Sequence, residues 1–370
     1  MAVAAEGIVE TAAKPVGAEA TSRAASRRIA SVRPKNFMEE EKGTKTDFVK
    51  EEIRNGKLFP ALMACAVRDD GVEIFRFLVC LGGMSDTTSN PAAAHPFLCT
   101  DALGGKVAMV AADGKVAWEH KCENPQDCWI TPDGNYFFCF ETGVVEKLSD
   151  GRTLWDYNAP EGSFVCSCEP LPTGHFLVVE NGPCRLIEIN NMGNILKEFR
   201  LTPPPPSVAI RNQLSGVRRT ADGHFLVCRK GEREIEELDA DGNSLRRIPV
   251  AGDVRMALRL PNGHWLVALG NAHKLQELDA ELKVVWELGE NDASGNPLRC
   301  VTGFQRLPNG NTIVCNTPGD DQIGRQPQVF EVTRDRKVVW EFSDPVRFAS
   351  INQIQRADVR GNVMVGEILR

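Results

Sequence analysis

The sequence predicts an all-β fold, a six-bladed β-propeller, on three observations. A glycine-centred turn recurs at Gly134, Gly174, Gly223, Gly263, Gly310 and Gly361, with spacings of 40, 49, 40, 47 and 51 residues, the length of a four-stranded blade. Each turn is followed by a short, unbroken apolar run, such as Phe225-Leu-Val-Cys228 or Trp265-Leu-Val-Ala268, as expected of strands covered on both faces. The two ends of the repeat are complementary. Residues from Phe97 onward supply the later strands of one blade, and residues 353–370 supply a first and a second strand. C-terminal strands then pair with the first blade and close the ring, which removes the open sheet edge. Seven blades is the alternative, if residues 61–100 add a full inner hairpin.

Residues 1–95 stand outside the pattern as an N-terminal extension. Residues 1–36 are rich in Ala, Ser, Lys and Arg with few large apolar side chains, a composition that leaves a chain disordered. Glu6, Glu10 and Glu19 argue against reading Thr21–Arg28 as an organelle transit peptide. A weak helical pattern covers residues 37–60, with Phe48, Ile53 and Leu58 on one side, and residues 61–83 are apolar without repeat features. Met84-Ser-Asp-Thr-Thr-Ser-Asn-Pro91 resembles an ordinary polar N-terminus, so Met84 is expected near the functional start and residues 1–83 to be accessory.

The propeller domain occupies residues 96–370. Its turns read Thr131-Pro-Asp-Gly134, Leu171-Pro-Thr-Gly174, Thr220-Ala-Asp-Gly223, Leu260-Pro-Asn-Gly263 and Leu307-Pro-Asn-Gly310; Asn-Gly and Asp-Gly supply the positive φ that tight hairpins demand. Third and fourth strands follow, as in Val329–Val332 with Lys337–Glu341. Trp118, Trp155, Trp286 and Trp340 share one place near the end of a blade, where two other blades carry Lys197-Glu-Phe199 and Arg246-Arg-Ile248.

Composition narrows the function classes. The chain is 42% hydrophobic and 25% charged with a formal net charge of −7, which fits a soluble protein and disfavours generic binding to nucleic acid or to an anionic membrane. No apolar run reaches the roughly 20 residues of a membrane span, and no secretory signal is recognised. Twelve cysteines scattered through strands point to buried thiols in a reducing compartment, most simply the cytoplasm. A monomer is expected.

Leu-Pro-Asn-Gly, Glu-Leu-Asp and Val-Val-Trp-Glu together resemble the quinoprotein-like (PQQ-like) propellers and the related arylsulfotransferase-type propellers over residues 97–370. The resemblance implies the architecture. Quinoprotein dehydrogenases commonly use eight blades and an adjacent cysteine pair near their cofactor, and this chain has no adjacent cysteines. Arylsulfotransferases use histidines near the start of inner strands. The corresponding places here hold Gln126-Asp127, Cys166-Ser167, Ser215-Gly216, Arg255-Met256, Thr302-Gly303 and Asn352-Gln353. No catalytic residue transfers from either family.

In a propeller, first strands begin and second strands end on the same face, beside the central channel. The polar residues expected to converge there are Gln126, Asp127, Ser167, Arg255, Thr302 and Asn352 from first strands. Glu180, Asn181, Arg229, Asn271, Asn316 and Glu367 come from second-strand ends. The long loops 202–214, 290–300 and 316–328 emerge on that face, where function on a rigid scaffold usually lies. The expectation is a binding scaffold for a small polar molecule or a protein partner, without a catalytic signature. An enzyme acting on a sugar or other polar substrate (a lyase, hydrolase or transferase), or a quinone-binding protein, is the alternative. His175, His224 and His264 each follow a turn glycine and read as turn residues spread around the ring. Cys122, Cys128, Cys166 and Cys168 fall near one another but lack Cys-x-x-Cys spacing, so packing is their expected role. No cofactor is predicted; pyrroloquinoline quinone and zinc are the alternatives.

Overall fold

The computed structural model describes residues 95–318 and 323–370, together with the backbone of two strands, β1 (Ala64–Asp69) and β2 (Val72–Phe77). The chain divides into two compact units, Met1–Thr87 and Thr88–Arg370. In the first unit, β1 and β2 form an antiparallel two-stranded sheet. The readings of disorder, weak helix and a start at Met84 fall outside the described residues.

The second unit is a six-bladed propeller. Blade 6, which spans both ends of the unit, contains β3 (Phe97–Asp101), β4 (Lys106–Val110) and β5 (Val116–Lys121). Blade 1 holds β6 (Asp127–Ile130), β7 (Tyr136–Phe140), β8 (Gly143–Lys147) and β9 (Thr153–Asn158). Blade 2 holds β10 (Phe164–Pro170), β11 (Phe176–Asn181), β12 (Arg185–Ile189) and β13 (Ile195–Arg200). Blade 3 holds β14 (Val217–Arg219), β15 (Phe225–Arg229), β16 (Glu234–Leu238) and β17 (Ser244–Pro249). Blade 4 holds β18 (Val254–Arg259), β19 (Trp265–Leu269), β20 (Lys274–Leu278) and β21 (Val284–Leu288). Blade 5 holds β22 (Val301–Arg306), β23 (Thr312–Asn316), β24 (Val329–Val332) and β25 (Val338–Phe342). Strand β26 (Ile351–Arg356) pairs with β3 and completes blade 6 as β26-β3-β4-β5. The six first strands touch in sequence, β6 to β10 to β14 to β18 to β22 to β26 and back to β6, so the ring is closed.

Packing explains the sequence pattern. The buried apolar residues form six clusters, one at each junction of adjacent blades. Inner strands such as β11 and β19 are buried along their whole length, whereas the outermost β5 alternates between half-buried and exposed. A strand sandwiched between two blades needs apolar side chains on both faces, and a rim strand only on one. Each full burial of a Val, Leu, Ile or Phe contributes roughly 1.5–3 kcal/mol. The first-to-second-strand turns follow one geometry: Gly134 N–H donates to Thr131 O and Thr131 N–H to Asn135 O, both at 2.9 Å. Of the turn residues only the glycine takes positive φ, 79° at Gly134, so the preceding Asp or Asn is not there for a left-handed backbone. The three repeat histidines bond to third-strand glutamates, His175 to Glu188 at 2.6 Å and His264 to Glu277 at 2.8 Å, with His224 and Glu237 at 3.5 Å. Asn135 and Asn311 make the same contact with Glu146 and Glu331, at 2.9 and 2.7 Å.

The C-terminus corrects one expectation. It supplies one strand to the closure, not two, because the place beside β26 is already filled by β3. Val363–Val365 forms a 3-10 turn, with Asn362 Oδ1 accepting from Met364 N–H at 2.9 Å. Gly361 is therefore not a blade turn. Val363 and Ile368 pack into the cluster between blades 1 and 2, Leu369 O accepts from Arg306 N–H at 2.8 Å, and Arg370 is fully buried. The tail enters the channel from the turn face and plugs it.

Candidate functional site

A plugged channel becomes a bowl. On the opposite face lies a cavity of about 660 Å³. Its rim is made by a repeated irregularity in the first strands. Register skips between Val165 and Ser167, Val254 and Met256, Val301 and Gly303, and Ile351 and Gln353. The residues left over, Cys166, Arg255, Thr302 and Asn352, all line the cavity. In blade 1, Gln126 N–H donates to Cys139 O although Asp127 already pairs with Cys139. In blade 3, Ser215 N–H and Gly216 O both bond to Cys228. An extra residue in one strand breaks the ladder and re-aims a side chain; applied six times, it turns a packed channel into a mouth.

The floor is charged, and its carboxylate is saturated, while Nε and Nη1 of Arg370 are buried with no hydrogen-bond partner among the described residues. Asp127, 2% exposed, accepts from Arg218 Nη1 and Nη2 at 2.8 and 3.2 Å, from Arg370 Nη2 at 2.9 Å and from Ser167 Oγ at 3.1 Å. Both guanidiniums also lie over the Trp129 ring, 4.8 and 4.3 Å from its centroid. With every lone pair of its carboxylate engaged, Asp127 anchors the floor and has no vacancy to act as a base. Behind it, burial lifts the Glu169 carboxyl to about 7, against the pull of Arg218 and the Arg219 N–H.

The walls are cationic. Arg211, Lys230, Arg255 and Arg299 line the cavity along with His273, and Asp127 is the lining carboxylate among the described residues. Three of the cations have an acidic neighbour: Arg211 with Glu141 at 2.5 Å, Arg255 with Asp253 at 2.8 Å and Arg299 with Glu290 at 3.1 Å. Lys230 has no carboxylate at ion-pair distance among the described residues, Asp253 acting on it only from farther off; its Nζ donates to Asn212 Oδ1 at 2.6 Å. Burial, and after it the Arg255 guanidinium, lowers the Lys230 ammonium to about 8. Nδ1 of His273 is buried without a hydrogen-bond partner among the described residues.

Of the residues expected here, Gln126, Asp127, Arg255, Asn271, Thr302 and Asn352 do line the cavity. Ser167 lies just below it, buried against Asp127. The second-strand ends other than Asn271 behave differently: several staple the long loops. Asn181 bonds to both backbone groups of Leu214, at 3.1 and 2.9 Å. Arg229 donates to Thr202 O at 2.6 Å and to Glu236 at 3.0 Å. Asn316 accepts from Arg299 N–H at 2.7 Å and donates to Pro297 O at 3.0 Å. Glu180 accepts from Tyr157 Oη at 2.5 Å and Arg185 Nε at 2.7 Å, tying blades 1 and 2. Glu367 belongs to the tail, where its carboxylate accepts from Asn362 N–H at 2.7 Å. Arg211, Lys230, His273 and Arg299 were not singled out by sequence. Lys230 follows Arg229 directly, and successive side chains of a strand point to opposite sides, so the staple position hid the lining one. Cys122, Cys128, Cys166 and Cys168 each lie near Cys139, but among the described residues no group of three or more His, Cys, Asp or Glu is placed to hold a metal. Burial raises the Cys122 and Cys128 thiols to about 12 and pushes Cys166 and Cys168 up as well.

No family model matches the sequence, and no curated protein does. Among solved structures, a protein of unknown function from Bacteroides caccae is similar at 28% identity with a TM-score of 0.65, over 71% of this chain and 98% of that one. The chain shares its fold. A streptogramin B lyase matches at 12% identity and a TM-score of 0.48, over 68% of this chain and 84% of that one. A catalytically inactive virginiamycin B lyase from Staphylococcus aureus, with quinupristin, matches at 14% identity and a TM-score of 0.49, over 71% and 88%. No described helix is long and apolar enough to cross a membrane.

Proposed function

We propose that the protein binds a small, polar, anionic ligand in the channel-mouth cavity. One observation carries the reading: four cationic side chains surround a cavity whose lining carboxylate, Asp127, is already neutralised by Arg218 and Arg370. A chain with a net charge of −7 that gathers three guanidiniums, each paired with one carboxylate, and Lys230, unpaired among the described residues, in one concave site favours anions there over the rest of its surface. Guanidiniums suit carboxylate and phosphate because they donate two parallel hydrogen bonds. A cavity of about 660 Å³ has the size of a small-molecule site, whereas protein partners meet flatter surfaces.

The experiment is a calorimetric and thermal-shift panel of small carboxylates and phosphates, with pyrroloquinoline quinone, itself a polycarboxylate, and neutral sugars beside them. Binding of an anion that weakens at least about tenfold in Arg255→Ala and in Arg299→Ala supports the reading, since a lost charged hydrogen bond is worth about 1.5–3 kcal/mol. Binding of neutral sugars alone, or of anions equally well to both variants, overturns it.

A further inference from the structure

We infer that Lys230 is a reactive amine, and that the ligand class of the cavity is a small anion bearing an aldehyde or ketone, which Lys230 captures as an imine. The inference rests on the anion-binding reading and sharpens it.

Position comes first. Lys230 directly follows β15 and its side chain lines the cavity wall, half-buried, with Nζ held 2.6 Å from Asn212 Oδ1. An amide oxygen orients the nitrogen without the full charge that would fix its proton. Other lysines show the contrast: Lys106, Lys115 and Lys274 each pair with a carboxylate, at 3.3, 2.7 and 3.0 Å. The strongest charged neighbour of Lys230 is Arg255, whose effect exceeds the opposing one of Asp253, and Arg211 and Arg299 line the same cavity. An amine set among guanidiniums and partly withdrawn from water gives up its proton readily, the arrangement that activates lysine nucleophiles. With the ammonium lowered to about 8, about a quarter of Lys230 is free amine at pH 7.5, against roughly 0.1% of an ordinary lysine. The same guanidiniums hold the anionic end of the ligand and fix its carbonyl beside the nitrogen.

The chemistry balances without any further reactant. The free amine attacks the carbonyl carbon, forming a C–N bond and a carbinolamine. Loss of the hydroxyl together with the remaining nitrogen proton releases one water and leaves the imine. Hydrolysis reverses both steps.

The test uses glyoxylate, an aldehyde carrying a carboxylate, with cyanoborohydride as hydride donor; the hydride adds to the imine carbon and a proton from water to the nitrogen. Peptide mapping then compares Lys230 with exposed Lys115, Lys197 and Lys283 of the same molecule. The expected result at pH 7.5 is trapping at Lys230 at least about tenfold faster than at those lysines, slowed in Arg255→Ala and competed by a non-carbonyl carboxylate such as acetate. Propionaldehyde, which has no charge, is the control. Equal labelling of Lys230 and the surface lysines by glyoxylate overturns the inference, and if acetate still binds and stabilises the protein, anion binding survives it. Preferential labelling by propionaldehyde equal to that by glyoxylate overturns the carbonyl-anion class and, with no thermal shift from any anion, the anion reading as well. Lys230→Arg, which keeps the charge, should retain acetate binding while losing the adduct, separating a reactive amine from a merely cationic wall.

Discussion

Arg218 and Asp127, on the first strands of blades 3 and 1, meet across the propeller channel through hydrogen bonds of 2.8 and 3.2 Å. Their link ties together strands that are not neighbours in the ring, and Arg370 joins it from the C-terminal tail at 2.9 Å. The arrangement is both a crossbeam for the channel and the floor of the cavity above.

Removing the carboxylate strips two buried guanidiniums of the acceptor they share and leaves Glu169 as the remaining acidic neighbour of Arg218. Asp127→Ala should therefore destabilise the fold by about 3–5 kcal/mol, the range for breaking one partner out of a buried ion pair. Chemical denaturation reads the change directly. A loss below 1 kcal/mol would show that the crossbeam is not structural.

Glu169 predicts a pH dependence of stability. Its carboxyl is lifted from the ordinary 4.5 to about 7 by burial, so the folded chain keeps a proton that the unfolded chain has released. Stability therefore declines as pH rises from about 4.5 to about 7 and levels off above that. The whole effect amounts to at most roughly 3 kcal/mol. Glu169→Gln still accepts from Arg219 N–H but removes the titration. Denaturation across pH 4.5–8 should show the variant gaining on the wild type as pH rises; a constant difference would refute the assignment.

Lys230 predicts a pH dependence of binding with the opposite logic. An anion favours the ammonium, so binding should draw a proton onto Lys230 near pH 8, and affinity should fall as pH rises from 7 to 9. Lys230→Arg should hold its affinity at pH 9, and Lys230→Met should be weak throughout. Isothermal titration in buffers of different ionisation enthalpy measures the proton uptake.

The mouth also depends on close backbone approach. A Cβ on Gly303 would sit 2.6 Å from Asn352 O and 2.5 Å from the Gln353 side chain, inside any normal contact distance. Gly303→Ala should cost about 1–3 kcal/mol through overpacking and should weaken ligand binding by shifting Thr302 and Asn352. A variant as stable as the wild type, with unchanged binding, would show that the rim is looser than its geometry implies.

The blades were legible in the sequence because a blade is a local object. Its turn glycine, its apolar second strand and its tryptophan lie within one stretch of chain, each with a direct physical reason to be there. The C-terminus misled for the complementary reason. Gly361 and Val363-Met-Val365 look locally like a turn and strand, and only the distant claim of β3 on the edge of β26 excludes them. The site divides in the same way. Arg255, Thr302 and Asn352 were found because first strands start at the mouth, but one residue of strand alternation separates a loop staple from a lining residue, Arg229 from Lys230 and Asn316 from Thr317. Arg211 and Arg299 sit in long loops, where no periodicity says which side chain turns inward.

The junction of β26 with β3 also sets a timetable. Asp101 pairs with Ile351 and Phe97 with Arg356, so the earliest propeller strand to leave the ribosome waits for the last. At typical synthesis rates of about 5–20 residues per second, that interval is on the order of tens of seconds. Throughout it, the inner edge of β3 carries unpaired backbone groups, a template for any other strand it meets. Chains cut short before Ile351 would keep that edge for life, and they, more than any point variant, are the species a cell would have to shield or destroy.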